Sequence, residues 1–325
     1  MQTTKFADSI ITMDTPPWYV TISVTVAGMY VTAVLFRSFS TKRCKSAALL
    51  KGKTVIVTGA NTGIGLQITL ELAKRHARVI MACRDSSKAM SAIEYVKSKT
   101  AHGTLVFKPL DLSSFSSVRM FCQKIVEEEK SIHVLVNNAG VMGHPFQQTE
   151  DGIEMHMAVN HFSNFLLTNL LLPKLKECSP SRIVFVSSSL HKRGVIDFEN
   201  LKGKQTNAYA NSKLANVYFA KELHQRLKDS GVDVFTVHPG MVDTDLARHS
   251  FSKLIWKLLY PLRLLLIKTV NQGCQTVLHC AISEELEGQS GNYYGSCEQE
   301  PWPEVSSCRE TQQKLWNYSK EITGL

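Results

Sequence analysis

The sequence predicts an α/β domain in which a doubly wound parallel sheet carries helices on both faces. Three observations predict it. Short β-branched apolar runs recur along residues 51–325, a helical stretch follows each, and the first run breaks into a glycine-rich turn that opens directly into a helix. Strands of a parallel sheet are buried on both faces and read as continuous apolar runs. Joining them through helices requires right-handed crossovers within one sheet.

The first run, Val55 to Val57, ends in a turn with the spacing Gly-xxx-Gly-x-Gly. Gly59 turns the chain sharply, Gly63 lets the backbone approach a pyrophosphate, and Gly65 lets the following helix, Ile64 to Lys74, sit close to the strand. Asn61 and Thr62 complete the turn. The helix N-terminus directs free N–H groups and a positive dipole end at the same point. This is a variant of the dinucleotide-binding turn.

The second strand, Arg78 to Cys83, ends at Arg84 and Asp85. In such sheets the residue after the second strand meets the adenosine ribose, and a basic side chain there accepts a 2′-phosphate. Arg84 therefore favours NADP(H), while Asp85 caps the helix that begins near Ser86. Leu105 to Leu110 is the third strand, followed by Asp111-Leu112, where Asp111 can bond an adenine amino group, and by Ser113 and Ser114 as caps for a helix to about Glu129. The fourth strand, His133 to Val136, closes on Asn137-Asn138-Ala139-Gly140, small and amide side chains at the carboxyl edge where open α/β sheets bind ligands. A long helical stretch from Asp151 to about Leu175 carries Asn160. Arg182 to Val186 is the fifth strand, ending at Ser187-Ser188-Ser189; Asn207 to Lys228 is a helix; Val232 to Val237 is the sixth strand, leading to His238-Pro239-Gly240. Tyr293 and Tyr294 mark a last strand and Trp316 a C-terminal helix. The whole is a Rossmann-type sheet of about seven strands in a single domain.

Tyr209 and Lys213 lie four apart on a predicted helix and so share a face. A nearby ammonium lowers a tyrosine pKa towards working pH, which makes Tyr209 a candidate proton donor and acceptor. Ser188, at the end of an adjacent strand, can hold a substrate oxygen, and Asn160 can fix the relay that returns the proton. His191 and His238 are read as structural or loop residues.

The motifs Thr58-Gly-Ala-Asn-Thr-Gly-Ile-Gly65, Ala82-Cys-Arg-Asp85, Val136-Asn-Asn-Ala-Gly-Val-Met142, Val159-Asn-His161, Leu166-Leu-Thr168, Ser212-Lys-Leu-Ala-Asn216 and Val237-His-Pro-Gly240 resemble the short-chain dehydrogenase/reductase superfamily. More narrowly they resemble its microsomal retinol dehydrogenase/retinal reductase branch. The resemblance implies a catalytic tetrad of Asn160, Ser188, Tyr209 and Lys213. It also implies NADP(H) held by Gly59, Asn61, Thr62, Gly63, Ile64, Gly65, Arg84, Asp111, Leu112, Asn138, Ala139, Gly140, Tyr209, Lys213, Pro239, Gly240 and Thr244. The expected reaction is hydride transfer between nicotinamide and the carbonyl or alcohol carbon of retinal, retinol or a similar lipid; a sterol or polyprenoid carbonyl, or a non-catalytic NADP(H) sensor or scaffold, are the alternatives. After Asn160 the chain reads His161-Phe-Ser-Asn-Phe165 where the branch usually has His-Leu-Gly-His-Phe; Ser163 and Asn164 are read as bearing on substrate range.

Residues 1–50 form a separate object. Residues 15–36 carry no charge and suit a transmembrane helix, with Trp18 and Tyr19 at its start. Arg37, Lys42, Arg43, Lys45, Lys51 and Lys53 follow it, against Lys5 alone before it, so the positive-inside rule places the 51–325 domain in the cytosol, on a single-pass endoplasmic reticulum anchor. Residues 251–267, within a segment of about 244–269, are apolar and basic, which suits a substrate lid at a membrane surface; a buried helix pair or homodimer contact is the other reading. The net charge of +9 comes from scattered Lys and Arg without a nucleic-acid-binding motif, so membrane lipid and a small apolar substrate are the expected partners and nucleic acid is not. The eight cysteines show no Cys-xx-Cys pair and no zinc-like spacing; they read as reduced thiols, with Cys297–Cys308 the one disulfide left open.

Overall fold

The computed structural model describes residues 17–244 and 267–325. Eight strands form one sheet in the order β3-β2-β1-β4-β5-β6-β7-β8. These are β1 (Thr54–Thr58), β2 (Arg78–Cys83), β3 (Thr104–Pro109), β4 (Val134–Asn137), β5 (Ser181–Val186), β6 (Val232–His238), β7 (Asn292–Gly295) and β8 (Glu298–Glu300). The first seven run parallel, and β8 turns back antiparallel on β7. The expectation of about seven strands is therefore met by the parallel set, and β8 is an addition. Its three residues are charged or amide-bearing, so it carries no apolar signal.

β1 shows why an uninterrupted apolar run belongs here. Val55 and Val57 enter the core on one face, Ile56 enters the core on the other, and all three are fully buried. One face is covered by α2 (Gly63–Lys74), α3 (Ser86–Lys99) and α7 (Val270–Ile282), which contribute Ile68, Leu72, Ile93 and Val277. The other is covered by α4 (Phe115–Glu128), α5 (Ser163–Glu177), α6 (Ala208–Arg226) and α8 (Arg309–Thr323), which contribute Phe121, Phe165, Phe219 and Trp316. Trp316 packs edge-on against Phe165 at 5.0 Å, as its reading as a packing residue requires.

Helix starts follow their caps. Asp85 accepts from the Lys88 amide at 3.0 Å and Ser114 from the Ser117 amide at 3.2 Å. The stretch expected as one helix from Asp151 begins instead with a short turn, Met155–Met157, capped by Glu154. A π turn, Ala158–Phe162, leads from it into α5. Helix and π periodicities differ too little to separate over five residues.

Strand order reverses between β1 and β4, whose carboxyl ends carry the glycine turn and Asn138-Ala139-Gly140. A crevice outside such a switch point is where ligands bind in open α/β sheets.

α1 (Pro17–Ser40) is a helix whose apolar side chains, among them Val20, Ile22, Val24, Val31 and Phe36, are exposed. Among the described residues, no helix is long and apolar enough to cross a membrane. The expected lid at 251–267 falls almost wholly on residues 245–266, outside the described residues; its flanks meet, with the Asp243 amide donating to the Lys268 carbonyl at 2.9 Å and the Lys268 amide to Met241 at 2.8 Å. All eight cysteines are free, so Cys297 and Cys308 are not joined.

Candidate active site

The glycine turn is built as a close cradle. Gly59 and Gly63 take φ of +64° and +54°, a region that costs other residues dearly. A Cβ on Gly65 would lie 2.2 Å from the Gly59 carbonyl oxygen, so the start of α2 can sit on the turn only as glycine. Thr244, from beyond β6, lies over the turn, with its methyl 3.3 Å from where a Gly63 Cβ would be. Such a pocket of N–H groups and helix dipole fits a pyrophosphate.

Thr58, at the end of β1, ties this turn to the next strand. Its hydroxyl accepts the Asn138 amide at 3.0 Å and the Ala139 amide at 2.9 Å, while the Asn138 side chain donates to the Thr58 carbonyl at 2.9 Å. The sequence reading passed over Thr58; a lone hydroxyl closing an apolar strand was its signal. Gly140 follows, and a Cβ there would meet Asn160 Oδ1 at 3.0 Å and Lys213 Nζ at 3.3 Å. The expected cofactor strip Asn138-Ala139-Gly140 thus lies against two of the expected tetrad.

Lys213 Nζ donates to the Val186 carbonyl at 2.9 Å and stands 5.8 Å from the centre of the Tyr209 ring. Ser187 Oγ donates to the Lys213 carbonyl at 3.0 Å, which fixes α6 against the end of β5. The Ser188 hydroxyl, which accepts the Leu190 amide at 3.3 Å, lies close enough to the Tyr209 phenol to lower its pKa. Ser188, Tyr209 and Lys213 are therefore brought together at the carboxyl edge. The electrostatics differ from the expectation. Burial pushes the Tyr209 phenol up to about 12, only partly offset by the Ser188 hydroxyl, and burial draws Lys213 down to about 8. Desolvation dominates, so the phenol is held protonated at neutral pH, the form that gives a proton away.

The depressed lysine carries a stability consequence. Between about pH 8 and its ordinary value the unfolded chain binds more protons than the folded one, so Lys213 costs stability below pH 8 and less as pH rises towards 10.5. At about 1.4 kcal/mol per pKa unit the cost is on the order of 3 kcal/mol. Lys213→Met is therefore expected to gain more stability over wild type in denaturant melts at pH 7 than at pH 10; an equal difference at both would contradict this origin.

Asn160 is fully buried, and its amide clamps the loop after Gly140: Oδ1 accepts the Val141 amide at 2.8 Å, and Nδ2 donates to the Val141 carbonyl at 3.0 Å and to Ser212 Oγ at 2.9 Å. The Asn160 carbonyl accepts from Asn164 Nδ2 at 2.8 Å and Asn216 Nδ2 at 2.7 Å. Ser163 Oγ donates to the Leu112 carbonyl at 2.6 Å. Ser163 and Asn164, expected to bear on substrate range, are buried and bonded to the loop after β3 and to Asn160.

Arg84 is exposed at the end of β2, with its guanidinium 3.9 Å from Asp111 Oδ2. Asp111 Oδ1 takes the Ser113 amide at 2.9 Å and hydroxyl at 2.7 Å, so much of the carboxylate expected to meet adenine is spent locally. His191, fully buried, and His238, bonded to Glu300 at 3.0 Å, are structural as read. Among the described residues no cluster suits a metal ion.

The model of the short chain dehydrogenase family matches residues 53–254. The chain belongs to the short-chain dehydrogenase family. It is 46% identical over 304 residues to human "Retinol dehydrogenase 11", covering 91% of this chain and 94% of that one. It is 45% identical over 311 residues to human "Retinol dehydrogenase 13", covering 93% of each. Among solved structures, an uncharacterised protein from Mycobacterium paratuberculosis matches with a TM-score of 0.69 at 31% identity, over 87% of this chain and 97% of its own. RhlG of Pseudomonas aeruginosa, solved with NADP, matches with a TM-score of 0.61 at 25% identity, over 75% of this chain and 94% of its own. As a short-chain dehydrogenase of the retinol dehydrogenase branch, the chain is an oxidoreductase whose family binds a nicotinamide cofactor.

Proposed function

We propose that this short-chain dehydrogenase is an NADP(H)-dependent retinoid oxidoreductase that reduces retinal or a similar lipid aldehyde. The observation that carries the reading is the meeting of Ser188, Tyr209 and Lys213 at the end of β5, beside the Gly140 strip, in a chain 46% identical to a retinol dehydrogenase.

When bound, NADPH supplies the hydride, with both its electrons, to the carbonyl carbon. Ser188 and Tyr209 bind the carbonyl oxygen through their hydroxyls and orient it. As negative charge develops on that oxygen, Tyr209 gives up its proton; the aldehyde leaves as an alcohol, and the phenolate is reprotonated from solvent. Lys213, close to the phenol ring, stabilises the phenolate while it exists. Gly59, Gly63, Gly65 and the α2 N-terminus would hold the pyrophosphate, and Asn138, Ala139, Gly140, Pro239 and Gly240 the nicotinamide edge.

Preference for the phosphorylated cofactor is supported by Arg84, whose exposed guanidinium at the end of β2 can grip a 2′-phosphate as a fork. Arg84→Ser is expected to lower kcat/KM for NADPH about 10–100-fold, the worth of one or two charge-assisted hydrogen bonds, and to leave that for NADH nearly unchanged. Retinal reduction by purified enzyme with each cofactor tests both parts. A wild type that prefers NADH would end the Arg84 reading, and one inactive on retinal but active on a sterol ketone would end the retinoid reading.

An endoplasmic reticulum location with the 51–325 domain in the cytosol belongs to the same proposal. It is supported by the exposed apolar side chains of α1 and by the basic residues Lys42, Arg43, Lys45, Lys51 and Lys53 that follow it, which suit anionic headgroups.

A further inference from the structure

We propose that Asn164 is a positioning residue for the oxidoreductase step, acting through the main-chain carbonyl of Asn160. The proposal rests on the reading of Tyr209 and Lys213 as the proton-handling pair. A carbonyl oxygen offers two lone pairs. At Asn160 they are met by two side-chain amides, Asn164 Nδ2 at 2.8 Å and Asn216 Nδ2 at 2.7 Å. This carbonyl lies within the π turn Ala158–Phe162, a widened stretch whose backbone bonding is irregular and which often marks functional sites.

The clamp passes outward through the Asn160 side chain. With its backbone held, the amide grips both polar groups of Val141 and the Ser212 hydroxyl. That places Gly140 where a Cβ would touch Lys213 Nζ and Asn160 Oδ1. Asn164 thus fixes, at one remove, the strip against which the proton-handling lysine and the nicotinamide edge meet. Asn216, on α6 with Tyr209 and Lys213, is tied in turn to His161, and His161 Nε2 lies 3.0 Å from Ser319 of α8; Asn164 stands on α5, one turn after Asn160.

Packing alone does not explain the residue. Asn164 is 1% exposed, and its Oδ1 is buried without a hydrogen-bond partner, an arrangement that costs stability. An apolar side chain would avoid that cost. What an apolar side chain cannot do is donate to Asn160.

The test is a pair of variants with one shape. In a helix a threonine hydroxyl donates to the carbonyl four residues back, here Asn160, whereas valine cannot. Asn164→Val is expected to lower kcat for retinal reduction about tenfold, with KM for NADPH within about twofold of wild type. It is also expected to speed amide hydrogen exchange across residues 138–143. Asn164→Thr should retain both properties near wild type. Should Asn164→Val not fold, Asn164→Ala reads the same loss against Asn164→Thr. Wild-type kcat and exchange in the folded valine variant, or equal changes in valine and threonine variants, would overturn the assignment. Exchange needs no substrate, so the two readings separate. A wild type inactive on retinal with exchange faster only in the valine variant keeps Asn164 and sinks the retinoid reading; an active wild type with identical variants does the reverse.

Discussion

Replacing Tyr209 with phenylalanine is expected to lower kcat for carbonyl reduction by about 10²–10⁴-fold, the usual worth of a positioned proton donor. The ring stays, and with it the packing over Lys213 at 5.8 Å; what goes is the hydroxyl beside Ser188. NADPH affinity, read by quenching of protein fluorescence, should therefore change little. This split is the signature of an interaction made with the reacting oxygen. The phenol, pushed up to about 12, stays a donor through neutral pH. Lys213, drawn down to about 8, loses above that pH the charge that stabilises the phenolate, so wild-type reduction is expected to stay level through neutral pH and to fall above about pH 8. A phenylalanine variant that kept more than a tenth of the activity would remove Tyr209 from the chemistry.

The second large effect is expected at Gly65. An alanine methyl would stand 2.2 Å from the Gly59 carbonyl oxygen and 2.7 Å from Asn138 Nδ2. Neither neighbour can yield cheaply. The first is backbone inside the turn, and the second is held at 2.9 Å to the Thr58 carbonyl. Either α2 must slide off the turn or the turn must open, and both spoil the N–H cradle. Gly65→Ala is expected to cost about 1–3 kcal/mol of stability, the usual range for overpacking. It should also abolish measurable NADPH binding in the variant that remains folded. Gly288→Ala is the contrast: at φ +75° with nothing within 4 Å, it should cost backbone strain alone and leave cofactor binding intact. Equal NADPH affinity in Gly65→Ala and wild type would refute the cradle.

Much of the fold was legible because a parallel sheet writes itself plainly. Val55–Val57 and Ile183–Val186 are apolar runs because both their faces are buried, and glycines mark the turns where backbone meets backbone. The order of the motifs put Ser188 just past a strand end and Tyr209 and Lys213 on one helix, where the structure also has them. What the sequence hid depends on environment instead of pattern. β8 has no apolar residue to announce it. The π turn at Asn160 is too short for its period to be told from that of the helix that follows. The phenol of Tyr209 was expected to be lowered by Lys213, but burial, which no spacing rule measures, raises it. Ser163 and Asn164 were read from what usually stands in their place, and the sequence did not announce the partners they bond, the carbonyls of Leu112 and Asn160.

The claim on which the account turns is that the Tyr209 hydroxyl and the nicotinamide ring face one substrate carbonyl. A crystal structure of the full chain with NADPH bound measures this directly. The account predicts the nicotinamide beside Asn138-Ala139-Gly140, with Tyr209 Oη and Ser188 Oγ both within reach of one carbonyl oxygen whose carbon lies about 3–3.5 Å from the hydride-bearing carbon. A ring bound elsewhere along the sheet edge, or a Tyr209 hydroxyl turned away from it into solvent or core, would contradict it.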